Sequence, residues 1–440
     1  MAFKFLSVFN NRHFHSLTGN LVTAFFNVLS FALLVRILSL DAFGEWVIFL
    51  GTYNVLDQVR TALLQSGIIK FYAGVDEDTA KQVAGAAWYL SLVVTAIFVV
   101  ASFAVYFIGY NYFESTWHFF IRWIGLLTLF SLPFNFATWV LQASHRFNKI
   151  VHIRILQNGS FLAFLIALYL LEQVSLENVL YAYALSLILA SAYSLVFRWT
   201  LIRSMAFRTK TQVLELYRFG RLIVGSMLSS SLLNYSDNMI IRAMISPAAV
   251  AIYSIPQKFM EVIEIILRSF VATAQPTISA AANRKDWPEV ARAFARYTGI
   301  VTIMIVPFIF LLFIFTKPLI LILAEEQYLN ATILVRIILL SAILFPIDRF
   351  IGVTLDMINK PQVNFYKNLL KLILNIILDV TLVWAYTDVS AVAVASVLNL
   401  IFAVAFGYYF LRKYIHIEFK QILVAGWQDI KMLIGKKLFK

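Results

Sequence analysis

The chain has 440 residues, of which 61% are hydrophobic and only 13% charged, with a mean hydropathy of +0.82. Soluble domains carry about twice that charged share, so a soluble globular protein is excluded. The absence of cysteine excludes a disulfide framework, thiolate catalysis and a Cys-ligated metal.

Twelve apolar runs long enough to cross a hydrocarbon core of about 30 Å follow one another along the chain. Their approximate limits are 16–38, 43–67, 83–109, 119–142, 150–171, 177–198, 217–245, 248–275, 294–316, 331–354, 364–386 and 389–411. No ten-residue alternating pattern appears, and an open sheet cannot satisfy its backbone in lipid, so the spans are helices. The first run follows Lys4 and Arg12, lacks a small-residue cleavage site, and is read as a retained span.

Basic residues alternate between the connecting segments. Arg146, Lys149 and Arg154, then Arg198, Arg203, Arg208 and Lys210, then Arg284 and Lys285 fall on one side, as do seven in the tail from Arg412 to Lys440. The opposite loops "LEQVSLEN" and "YTDVSA" contain no Lys or Arg. The positive-inside rule therefore predicts both termini in the cytoplasm. The net charge of +13 is mostly this asymmetry, and no basic soluble domain exists to carry a nucleic-acid partner. Residues 414–440 are amphipathic at helical spacing, with Trp427 and several lysines. They are expected on the inner membrane surface, in contact with anionic lipids.

An internal repeat is visible. "VRILSLDAFGEW" at 35–46 resembles "IRAMISPAAVAIY" at 241–253, and 141–158 resembles 355–375. Both pairs are separated by about half the chain, which predicts two six-helix halves in the same orientation. The expected organisation is a lobe over 1–198, a basic linker over 199–216, a second lobe over 217–412 and the tail over 413–440.

Three spans carry polar stripes. The second holds Asp57 and Arg60; the eighth holds Lys258, Glu261, Glu264 and Arg268; the eleventh holds Lys367, Lys371, Asn375 and Asp379 at intervals of four. Acid and base three or four residues apart share a helix face. A lone charge at mid-bilayer costs roughly 2.5–3.5 kcal/mol, so these faces are expected to line an aqueous cavity between the halves. Plainer readings stand beside this one. Lys367 and Lys371 snorkel to the cytoplasmic surface, Asp57–Arg60 is a structural pair, Asn375 joins helices, and Asp379 belongs near the outer surface. His13, His15, His145 and His152 lack the spacing of a zinc site. No P-loop, GxGxxG or nucleophile elbow is present. Neither an enzymatic activity nor a cofactor is expected.

The stretches "LLVRILSLDAFGEW", "LQASHRFNK", "SDNMIIRAMISPAAVAIYS" and "LILAEEQYLNATILVRIILL" resemble the polysaccharide-transporter branch of the MOP flippase superfamily, which includes Wzx-type O-antigen flippases. The resemblance covers nearly the whole chain. It implies two six-helix bundles forming a V around a central cavity, in a bacterial inner membrane. It also implies export of an undecaprenyl-pyrophosphate-linked oligosaccharide, with glycosyltransferases and a glycan polymerase as partners. Arg60, Lys258, Arg268 and Lys371 are then candidates for the pyrophosphate, with Asn375 among the polar walls. Asp57, Glu261, Glu264 and Asp379 are candidates either for carrying a coupling proton or sodium ion or for structural pairing. The competing readings are a MATE-type drug exporter of the same fold, a major-facilitator transporter, whose loop after the second span "KFYAGVDEDTAK" does not match, and a membrane glycan polymerase or glycosyltransferase, which needs a larger external loop.

Overall fold

The computed structural model describes residues 12–72, 74–109 and 115–438. Lys4 and Lys440 lie outside them, as do the side chains of Arg12, His13, His15, Lys436 and Lys437. Every long regular element among the described residues is an α-helix. In chain order they are α1 (Arg12–Ile37), α2 (Leu40–Tyr72), α3 (Glu77–Ile108), α4 (Ser115–Ala143), α5 (Phe147–Leu170), α6 (Leu176–Val196), α7 (Lys210–Met244), α8 (Pro247–Asn283), α9 (Trp287–Ile314), α10 (Thr316–Leu323), α11 (Ala331–Ser341), α12 (Phe345–Met357), α13 (Pro361–Tyr386), α14 (Val389–Leu411) and α15 (Phe419–Leu438).

Each of the twelve apolar stretches is helical. Among the described residues, eight helical segments are long and apolar enough to cross a membrane: α3, α4, α5, α6, α9, the α11–α12 pair, α13 and α14. The protein is an all-α, multi-pass membrane protein. Helices α2, α7 and α8 are longer still, at 33, 35 and 37 residues, but are more heavily charged.

Helix starts follow local chemistry. Ser175, Ser246 and Asp286 accept hydrogen bonds from the backbone N–H three residues on, at 3.1, 3.1 and 3.0 Å, capping α6, α8 and α9. Pro247 and Pro288 then occupy first-turn positions, where the missing N–H costs nothing. The stretch expected as a span over 331–354 is one crossing, Ala331–Met357, with an interruption inside it. A 3₁₀ turn at Ala342–Leu344 separates α11 from α12, and Pro346 cannot continue the hydrogen-bond ladder back into α11.

The chain divides into two compact units, Met1–Ser231 and Leu232–Lys440. In the first, Trp88 stacks on Phe136 at 4.4 Å within a core that includes Leu64, Ile68, Trp139 and Leu216. The Trp88 indole N–H donates to the Thr200 carbonyl at 2.6 Å. The basic stretch after α6 is thereby fastened down, and it forms a 3₁₀ helix over Ile202–Phe207. At Gly85 a Cβ would collide with the Ser204 carbonyl, so this helix lies directly on α3.

In the second unit the tail helix α15 packs on α9. A Cβ at Gly299 would strike the Ile422 carbonyl, and one at Gly426 would strike the backbone of Gly299. The two backbones touch where only glycine fits. Gly299 lies twelve residues into α9, about 18 Å along it, so the tail is a packed element of this unit. Gly426→Leu is expected to dislodge α15 at a cost of about 1–3 kcal/mol, the range for overpacking. Faster tryptic cleavage after Lys420, with the rest of the chain resistant, is the readout.

Candidate functional site

The first polar centre is built on α2, α3 and α4 of the first unit. Arg60 is fully buried. Its Nη1 donates to the Thr128 carbonyl at 2.6 Å and to Thr95 Oγ1 at 3.2 Å. Its Nη2 donates to Ser131 Oγ at 2.8 Å and to Asp57 Oδ1, with which it forms an ion pair. Asn135 Nδ2 reaches Asp57 Oδ2 at 3.3 Å. The guanidinium is thus held by three helices. In the same unit Trp46, Phe161 and Tyr183 pack together, with centroid separations of 5.2–6.0 Å.

The second centre lies wholly in the second unit. Asn375, on α13, spreads its amide between two carboxylates. Nδ2 donates to Asp237 Oδ1 at 2.6 Å and to Asp379 Oδ2 at 2.8 Å. Its carbonyl accepts from Asn399 Nδ2, on α14, at 2.7 Å. Tyr253, on α8, donates to Asp237 Oδ2 at 2.7 Å, and Ser396 Oγ lies 3.3 Å from the same oxygen. Asp379 is fully buried, and Asn375, Asn399 and Tyr253 nearly so. Among the described residues, Oδ1 of Asp379 and Oδ1 of Asn399 have no hydrogen-bond partner. Buried oxygens are normally satisfied, and two neighbouring carboxylates repel each other. A proton or a monovalent cation placed there would answer both conditions. Hard oxygen donors of this kind suit a cation such as sodium, not a soft metal.

Beside this centre sits a cavity of about 340 Å³ whose lining includes Asp237, Gln257, Glu261, Glu264, Lys371 and Asn375. Lys258 Nζ is 2.8 Å from Glu261 Oε2, and Arg268 Nη2 is 2.7 Å from Glu264 Oε2. Glu261, Glu264, Lys371 and Asn375 are thus brought together with Asp237. Arg268 is exposed and outside the lining, while Asp57 and Arg60 belong to the other unit.

Lys367 does not snorkel. It is 2% exposed, and its Nζ donates to Asp348 Oδ1 at 2.6 Å; Lys371 reaches Oδ2 of the same carboxylate at 3.1 Å. An acid on α12 holds the ammonium through a charge-assisted hydrogen bond. Asp237, Asp348, Tyr253, Ser396 and Asn399 were not singled out from sequence. Asp237 was legible in "SDNMIIR", as an acid inside an otherwise apolar span. Among the described residues, no cluster of three or more His, Cys, Asp or Glu side chains could hold a metal ion.

The fold is that of an all-α, multi-pass membrane protein with buried acids inside its helices. The chain belongs to the family described as polysaccharide biosynthesis protein, whose model matches residues 33–333. A curated relative is a probable low-salt glycan biosynthesis flippase, Agl15, of Haloferax volcanii. It is 19% identical over 258 residues, which are 59% of this chain and 54% of the relative. The match therefore spans about half the length of that relative. Among solved structures, an inward-facing multidrug resistance MATE transporter superposes with a TM-score of 0.77 at 13% identity, covering 89% of this chain and 94% of its own. The lipid II flippase MurJ in an inward closed conformation gives 0.70 at 13%, covering 97% and 92%. A MOP-superfamily transporter from Pyrococcus furiosus, described as having a binding pocket of reverse polarity, gives 0.65 at 13%, covering 91% and 93%. These likenesses show a common fold.

Proposed function

We propose that the protein is a flippase that moves an undecaprenyl-pyrophosphate-linked oligosaccharide across the cytoplasmic membrane by alternating access, for polysaccharide biosynthesis. The observation that carries this reading is the family match over residues 33–333. The relative described as a probable glycan biosynthesis flippase supports it. Both termini are cytoplasmic in this proposal, and glycosyltransferases and a polymerase act before and after the transport step. The Asp237–Asp379 centre takes up the coupling proton or cation, and Lys371 offers a positive charge to the substrate from the adjacent cavity.

A second reading has its own support. The cavity beside the centre is rich in acids, and the fold is shared with a multidrug transporter at a TM-score of 0.77. An acid-lined cavity suits a cationic amphiphile, exported in exchange for a cation. One pair of assays separates the two. Deletion of the gene is expected to abolish surface glycan and leave sensitivity to ethidium unchanged; complementation by the full chain restores the glycan. Ethidium hypersensitivity with normal surface glycan would replace the flippase reading with the exporter reading.

A further inference from the structure

The end of α2 and the start of α7 meet in the first unit through a small-residue seam. Gly220 lies so close to Leu63 that a Cβ there would collide with the Leu63 carbonyl, and a Cβ at Gly67 would come within 2.8 Å of Leu216. This contact fixes what lies just beyond it. Phe71 and Phe219 meet edge to face at 5.5 Å, and the Lys70 ammonium sits 4.2 Å from the Phe219 ring centre and 4.9 Å from that of Phe71. A cation over two rings is held in place by their quadrupoles.

Around this point opens a second cavity, of about 780 Å³, into which Lys70, Lys210 and Arg218 all project. Glu215 is the one acid of its lining. Among the described residues, none of the three cations forms an ion pair. Lys210 and Leu214 belong to the first turns of α7, where the helix end adds its own positive potential. Leu214 and Tyr217 are exposed beside the charges, at 43% and 45%. Exposed cations next to exposed apolar and aromatic side chains are suited to a molecule with an anionic head and a hydrocarbon body. The three cations outnumber Glu215 in this lining, and a guanidinium grips phosphate with two parallel donors.

We propose that this cavity binds the phosphate headgroup of an anionic membrane lipid. Two sources share that chemistry: a bulk phospholipid such as phosphatidylglycerol, and a polyprenyl pyrophosphate. The site lies in the first unit and shares no lining residue with the cavity beside the acid centre. It also differs from the basic tail, where the sequence alone places lipid contact.

The test uses the full chain reconstituted in phosphatidylcholine nanodiscs, doped in one arm with phosphatidylglycerol and in the other with undecaprenyl pyrophosphate. Lipid retained after extraction is counted by native mass spectrometry. Each basic residue near an anionic lipid surface contributes enough to change retention about fivefold, so Lys70→Gln/Lys210→Gln/Arg218→Gln is expected to lose the doped lipid almost entirely. Lys420→Gln/Lys431→Gln in the tail retains it. Loss in the phosphatidylglycerol arm identifies a bulk-lipid site; loss in the pyrophosphate arm alone identifies a capture site for the carrier lipid. Arg218→Gln alone, with an unchanged melting temperature, guards against misfolding and is expected to show about a fivefold loss. Equal retention by wild type and by the variants in both arms overturns the proposal.

Discussion

Asp237→Asn combined with Asp379→Asn is expected to reduce transport about a hundredfold while the protein remains in the membrane at its normal level. The shape of both side chains is kept, so packing around Asn375 survives. The charge is lost, and with it the means of holding a proton or cation between the two carboxylates. Surface glycan per unit of membrane protein is the measurement. Repeating it with wild type across sodium concentrations at fixed pH, and across pH at fixed sodium, distinguishes the two occupants. Full transport by the double variant would mean that the pair only joins helices and that coupling lies elsewhere.

Arg60→Ala should lower stability by about 3–5 kcal/mol, because it strands Asp57 in a half-buried site and removes donors to Thr95, Thr128 and Ser131. In detergent this appears as a large drop in melting temperature and, in cells, as loss of protein. Asp57→Asn with Arg60→Gln should recover much of it, since no unpaired charge is left behind. If that double variant also transports normally, Arg60 is not a substrate contact. If it is stable but inactive, the charge at position 60 or 57 has a part in transport beyond holding α2, α3 and α4 together.

Helix positions were readable because lipid imposes a length and an oiliness that soluble helices do not need. Each predicted stretch is helical for that reason, and hydropathy, insensitive to a single Pro346, carries no sign of the 3₁₀ turn at Ala342–Leu344 inside one of them. The charged stripes were readable for the converse reason: a charge inside a span demands a partner. Which partner was another matter. Asp57–Arg60 and Glu264–Arg268 lie within one helical turn and are fixed by local spacing. Lys367 with Asp348 joins α13 to α12, and Asn375 with Asp237 joins residues 138 positions apart. Nothing in a local pattern encodes such distant pairs. A lone Asp237 or Asp348 therefore reads only as an isolated expense until the helices are assembled.

The interval of four residues along α13 has a geometric consequence. An α-helix turns once in about 3.6 residues, so groups four apart advance by about 40° around its axis, and Lys367 and Asp379 differ by about 120°. The row is a screw thread, not a seam. Its lower part engages Asp348 on α12, and its upper part meets Asp237 on α7 and Asn399 on α14. A heptad spacing would have pointed all four groups at one neighbour. With this pitch, one helix is keyed to three others, and any twist of α13 about its own axis must disengage the lysines and the acid centre together.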